Sequence, residues 1–322
     1  MPTSSAPADA PHATAMSPIV VTAGLVVGVL AVSTSGILIR LADAPPLAIS
    51  FWRCALGAVA LLPFALRARR RFGPMDAGQR RQLMGAGLFL AAHFAAYITS
   101  LSFTTVASAA VLVTSAPLFV GAGAAIFLGE APSRRTWAGI ALAMAGAVGI
   151  ALADAEALVT GRALIGDGLA FAGAALVAGY LIIGRAARAR LPLSRYAAGV
   201  YGVAAAALLI AAVATGSALV GYTAATWWAI AGLVVGPQLL GHTVFNSLLV
   251  SVPPTVIAVV VIAEPVGSGI LAYLLLDEAP SRGFWLAAPL LVAGVALSLL
   301  GARPDHGAEA HGESADVASA QP

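Results

Sequence analysis

Lysine is absent from this 322-residue chain, cysteine occurs once, and only 10% of the residues are charged. Each shortage excludes something. With Cys54 alone, neither an intrachain disulfide nor a cysteine-ligated metal site can form. Soluble domains carry about a quarter charged residues to face water, so 10% leaves a globule of this size without a polar coat. The basic residues are all arginine and sit between apolar runs, a pattern of a GC-rich genome and not of a nucleic-acid surface. There is no P-loop, no HExxH and no Gly-x-Ser-x-Gly, so nucleotide-driven work and the common hydrolase chemistries have no motif here.

What is plentiful is apolar: 60% of the residues are hydrophobic and the mean hydropathy is +0.94. A membrane-spanning helix needs roughly 20 mainly apolar residues. Reading between Arg, Pro and Gly punctuation, the sequence predicts ten spans: about 18–40, 46–66, 83–102, 105–128, 136–153, 164–184, 196–215, 225–248, 254–276 and 284–301. The fold class is therefore an all-α integral membrane protein. Residues 1–17 and 302–322 are polar or rich in Pro, Ala and Ser, and read as disordered tails. The first tail lacks the basic n-region of a signal peptide, so the first span is expected to be retained.

Arginine sets the orientation. Arg67, Arg69, Arg70, Arg71, Arg80 and Arg81 follow the second span. Arg134 and Arg135 follow the fourth, and Arg185, Arg188, Arg190 and Arg195 the sixth. Arg40, Arg162 and Arg282 fall on the other side. Twelve against three puts both termini in the cytoplasm under the positive-inside rule.

A repeat is visible in the same residues. Glu130-Ala-Pro-Ser-Arg134 recurs as Glu278-Ala-Pro-Ser-Arg282, 148 positions later, and Trp137/Trp285, Gly146/Gly294 and Pro117/Pro265 match at that offset. The expected units are a first repeat at 18–153 and a second at 164–301, five spans each. An odd number of spans starts the second repeat on the opposite side, so the two are inverted. Inverted halves suit alternating access.

With these residues in view the chain resembles the EamA family of the drug/metabolite transporter superfamily. In the first half the likeness rests on Phe51-Trp-Arg53, on His93-Phe-Ala-Ala-Tyr-Ile-Thr-Ser-Leu101, and on Ser115-Ala-Pro-Leu-Phe119 and Phe127-Leu-Gly-Glu130. In the second it rests on Gly166-Asp167, Pro237-Gln-Leu-Leu-Gly-His242 with Asn246, Ala263-Glu-Pro-Val266 and Leu276-Asp-Glu278, the last departing mildly from the family's usual Gly-Glu. The resemblance implies export of small metabolites, amino acids or drugs across a bacterial inner membrane, with no fixed substrate and no cofactor.

Several polar residues interrupt the spans. Glu264 lies about ten residues into the ninth, roughly 15 Å deep. A carboxylate there costs several kcal/mol unless paired, solvated or protonated, so it reads as the proton-coupling group, the alternative being a hydrogen-bonded packing group. Pro117 and Pro265 each remove a backbone donor and free the carbonyls of Val113 and Val261. As a symmetric pair they read as hinges or cavity walls. Gln238, His242 and Asn246 form one stripe on the eighth span at i, i+4 and i+8; His93, Tyr97 and Ser100 form another on the third. These stripes read as a substrate-binding lining or as interhelical glue. No metal site is expected of the two histidines, since no third histidine lies in a span.

Arg53, about 10 Å deep in the second span, would bind a substrate carboxylate, pair with Glu264 or snorkel outward. Trp52 beside it would be a cavity wall or an interfacial anchor. The Glu-Ala-Pro-Ser-Arg segments read as structural, with Ser133 and Ser281 capping the next helices and glutamate–arginine pairs one turn apart. The small-residue stripe Gly139, Ala143, Gly146, with Gly294 and Ser298, predicts close helix packing within one chain or in a homodimer.

The leading function is thus a secondary transporter for a small-molecule substrate in the lipid bilayer, with protons as the coupling ion. The alternatives are a membrane-embedded enzyme and a non-transporting sensor or scaffold.

Overall fold

The computed structural model describes residues 16–104, 106–154, 161–276 and 281–302, and these form helices and turns with no strand among them. Helices α1 (Pro18–Ser33) and α2 (Ser35–Leu41) are one rod interrupted at Thr34. Next come α3 (Pro46–Phe72) and α4 (Ala77–Ser100), then α5 (Val106–Val113) and α6 (Ala116–Gly123) with a π-helical turn at Ala124–Leu128. Helices α7 (Arg134–Asp154), α8 (Gly161–Arg188) and α9 (Leu193–Ala214) follow. Another rod joins α10 (Ala224–Leu233), a π-helical stretch at Val234–Thr243 and α11 (Val244–Leu248). Helices α12 (Pro254–Val261), α13 (Glu264–Leu276) and α14 (Arg282–Gly301) complete the described chain.

Nine segments among the described residues are long and apolar enough to cross a membrane. The remaining long helix, α7, has 21 residues and sits where the fifth span was expected. Helix bounds fall within a few residues of the sequence reading, except that α3 continues to Phe72, α8 to Arg188, and α4 starts early at Ala77. Arginine is a good helix former, so these helices run on past their apolar parts. The tail expectations fall outside the described residues apart from Met16, Ser17 and Ala302, and so does the segment from Asp277 to Pro280 with Glu278.

Local chemistry sets the helix starts. Asp76 accepts from the Gln79 amide at 2.8 Å while the Gln79 side chain accepts from the Asp76 amide at 3.1 Å, a reciprocal capping box. Ser133 and Ser281 accept from the amides of Thr136 and Phe284 at 3.1 and 3.2 Å, as their positions before arginine-led helices predicted.

The outer surface is apolar: Ile19, Phe127, Trp228 and Leu286 are each at least 74% exposed. In water such a surface would aggregate; in lipid it is at home. Between helices, small residues allow close approach. Gly139, Ala143 and Gly146 of α7 lie directly against Leu291, Gly294 and Ser298 of α14, so the small-residue stripe is consumed inside one chain.

Polar contacts gather the connections at two ends. At one end Arg190 pairs with Asp76 at 2.9 Å, Arg195 donates to the Gly73 carbonyl at 2.9 Å, and Arg185 pairs with Glu130 at 2.9 Å and also donates to the Leu249 carbonyl. Met16 joins Ser251, and Ser133 joins Gly301, at the same end. At the other end Trp52 Nε1 donates to the Leu219 carbonyl at 2.7 Å and Thr104 to Asp167 at 2.7 Å. Glu130 thus pairs with Arg185 on α8 and not with Arg134 one turn on. Gly129, at φ +70°, ends its helix in a left-handed turn that separates Glu130 from the helical phase of α7.

Candidate functional site

Two helix breaks create the site. The α5–α6 rod breaks at Thr114–Ser115 and the α12–α13 rod at Ile262–Ala263, each just before a proline that is the second residue of the new helix. Pro117 and Pro265 cannot bond the carbonyls four residues earlier. The chain closes each gap with a tight turn, Ser115 N–H to Leu112 O at 3.2 Å and Ala263 N–H to Val260 O at 3.0 Å. Irregular backbone at membrane depth is tolerated where it lines a cavity, and here it does. Val113, Thr114, Ala116 and Pro117 from one break, and Val261, Ile262 and Glu264 from the other, line a cavity with about 850 Å³ of empty volume, counting its open side.

The remaining walls come from α3, α4, α8 and the π-helical stretch. Arg53 is 2% exposed; its Nε donates to Gln238 Oε1 at 3.0 Å and its guanidinium lies 3.9 Å from the Phe94 ring centre. That is a cation held by an amide below and an aromatic face above, with no acid in ion-pairing range among the described residues. His93 Nδ1–H donates to the Gly173 carbonyl at 2.8 Å, which assigns the tautomer and leaves Nε2 as an acceptor. Its ring stacks on Tyr97 with centroids 6.1 Å apart. His242 sets its ring edge-on to Phe94 at 5.2 Å and beside Tyr180 at 6.2 Å.

The π-helical stretch gives the polar residues of the eighth rod different tasks. A π turn adds a residue per turn and shifts the side-chain register. Here it turns His242 to the cavity while Gln238 reaches Arg53 from behind. The Gln238 carbonyl, loosened from regular α pairing, accepts from Thr243 Oγ1 at 3.0 Å and Tyr201 OH at 3.3 Å.

Of the residues singled out from sequence, Arg53, His93, Tyr97, Pro117, His242 and Glu264 line this one cavity. Gln238 and Asn246 are fully buried behind the wall, where each holds a lining side chain: Gln238 holds Arg53, and Asn246 Oδ1 accepts from Tyr180 OH at 2.6 Å. Pro265 is not among the lining residues, though its neighbour Glu264 is. Trp52 is elsewhere, at the far end, packed edge-on against Trp227 at 5.2 Å. Sequence reasoning missed Tyr180 and Thr114. A tyrosine in the middle of an otherwise apolar span was a usable signal for the first. Thr114 gives none beyond its place before Pro117.

The Glu264 carboxylate has no hydrogen bond or ion pair among the described residues, while its backbone carbonyl accepts from Ser33 at 3.4 Å. One carboxyl group and one guanidinium therefore share a largely apolar cavity without touching.

A helical bundle with a lipid-facing exterior and an interior cavity, largely apolar but holding a carboxyl group and a guanidinium, at two broken helices defines a membrane protein of the transporter class. Comparison with known proteins makes the class specific. The EamA-like transporter family matches residues 19–152 and again 164–300, and the chain belongs to that family. An "Uncharacterized transporter" of Archaeoglobus fulgidus is 25% identical over 279 residues, covering 86% of this chain and 95% of that one. A solved crystal structure shares the fold, with a TM-score of 0.75 at 22% identity over 90% of this chain and all of the other. The chain is a multi-pass membrane transporter.

Proposed function

We propose that this protein is a proton-coupled secondary transporter that exports a small organic substrate from the bacterial cytoplasm by alternating access. The carrying observation is the cavity at the two matched breaks, 148 positions apart, with Glu264 unpartnered on its wall. Two family matches, each covering five helical rods, support two inverted halves of ten spans. Interchanging their conformations would open the cavity first to one side and then to the other. The breaks before Pro117 and Pro265 are the hinges of that exchange.

Glu264 is the coupling group. A carboxyl on an apolar wall is stable when a proton accompanies it. Proton and substrate charge then meet in one cavity, and each changes the other's binding free energy, which is the linkage that coupled transport needs. The arginine-rich end, gathered by Arg185, Arg190 and Arg195, faces the cytoplasm under the positive-inside rule together with both termini. Uptake by substrate-free proteoliposomes tests this reading: a substrate of the purified protein accumulates uphill under an imposed pH gradient and not without one. Uptake indifferent to the gradient for every substrate found would remove proton coupling.

A further inference from the structure

We infer that the substrate carries a carboxylate on an apolar body and that Arg53 is the group that binds it. This deepens the transporter reading and rests on the same cavity. Three features converge. First, Arg53 is 2% exposed, yet its only hydrogen bond among the described residues uses Nε, to Gln238. Its two Nη groups, four N–H donors in a fixed fork, have no acceptor there although the residue lines the cavity. A buried guanidinium left with open donors is costly until an oxygen acid arrives, and a carboxylate matches the fork with two parallel bonds.

Second, the guanidinium is already oriented. Phe94 covers one face at 3.9 Å and Gln238 fixes Nε at 3.0 Å, so few side-chain rotations are left to freeze on binding. Third, α6 and α13 begin at the cavity: Ala116 and Pro117 of one and Glu264 of the other are on its wall. The start of a helix bears partial positive charge, which favours an anion.

The charge count selects a monocarboxylate over a phosphate. Among the described residues Arg53 is the cavity's only arginine, and Glu264 already brings one carboxyl group. A doubly charged phosphate would leave net negative charge in a low-dielectric space, whereas one carboxylate is balanced by Arg53 when Glu264 holds its proton. The body of the ligand would lie against Val177, Leu181, Ile257 and Val261, which give the cavity its apolar walls.

The test is binding to the purified full-length protein in detergent, which requires no transport. The probes are 4-phenylbutyrate, its amide, 4-phenylbutylamine and inorganic phosphate, read by thermal shift and calorimetry. The expected result is that the carboxylate binds about 10- to 100-fold more tightly than the amide, the worth of charge-assisted hydrogen bonds, and that amine and phosphate bind no better than the amide. Arg53→Lys keeps a charge but loses the fork and should bind the carboxylate at least about tenfold more weakly. Equal binding of carboxylate and amide by the wild-type protein overturns the inference, whatever the variant does. Carboxylate preference without pH-driven transport would leave Arg53 in this role and remove only proton coupling.

Discussion

Replacing Gly294 by alanine should destabilise the protein, although alanine is the better helix former. Helices α7 and α14 touch through backbone here. A Cβ on Gly294 would stand 2.6 Å from Ala143 Cα and 2.7 Å from the Gly139 carbonyl oxygen. Carbon atoms settle about 3.5–4.0 Å apart, so the two helices would have to separate by about 1 Å. No rotamer can relieve the clash, because both obstacles are main chain. Overpacking costs about 1–3 kcal/mol, and with rigid neighbours the upper figure applies. Alanine's propensity advantage over glycine offsets about 1 kcal/mol. The net loss is about 2 kcal/mol, or roughly 3 °C in Tm at about 2.1 cal/mol/K of unfolding entropy per residue over a chain of this length. Thermal unfolding in detergent measures it, with Gly202→Ala on α9 as the control, since nothing lies within 4 Å of a Cβ there. A Gly294→Ala protein as stable as the Gly202→Ala protein would refute the packing argument.

Two more predictions concern the arginine-rich end. The Gln79 amide bond, and then the Arg190 charge, hold the Asp76 carboxyl below the usual carboxylate range. A depressed acid contributes stability that is complete above its unfolded value, near about pH 4, and is lost as pH falls below it. The start of α4 should therefore lose hydrogen-exchange protection at Gln79 below about pH 4, and Asp76→Asn should flatten that dependence. For orientation, Arg70→Cys should be labelled by impermeant reagent only after the cytoplasmic face is opened, and Ala218→Cys from outside in intact cells. Native Cys54 is fully buried and should stay silent. Labelling of Arg70→Cys in intact cells would reverse the assigned sidedness.

Much of the fold was legible because lipid imposes a simple rule: long apolar stretches become helices, and arginine and proline mark their ends. Close helix packing at Gly139, Ala143 and Gly146, and at Gly294 and Ser298, was readable from the small residues, but whether it joined helices of one chain or of two was not. The breaks were anticipated only as prolines. What sequence could not give was the register change at Val234–Thr243, because a π-helical stretch depends on how neighbouring helices take up a spare carbonyl, here through Tyr201 and Thr243. For that reason the stripe of Gln238, His242 and Asn246 looked like one face, whereas only His242 reaches the cavity. Arg53 had three readings in sequence, and its neighbour Gln238 is 185 positions away, beyond any local pattern. Trp52 adjoins Arg53 in sequence, but successive residues of a helix do not share a face, and it anchors the α9–α10 connection instead.

Coupling through Glu264 is tested most directly by the Glu264→Gln protein in proteoliposomes, assayed for both uphill transport and substrate exchange. Glutamine keeps the size and the hydrogen-bonding capacity of the side chain but cannot carry a titratable proton. The expected result is loss of accumulation driven by a pH gradient, with substrate-for-substrate exchange still running, because the cavity wall and Arg53 are untouched. Uphill transport with wild-type dependence on the pH gradient would contradict the role of Glu264 and move the coupling to His93 or His242.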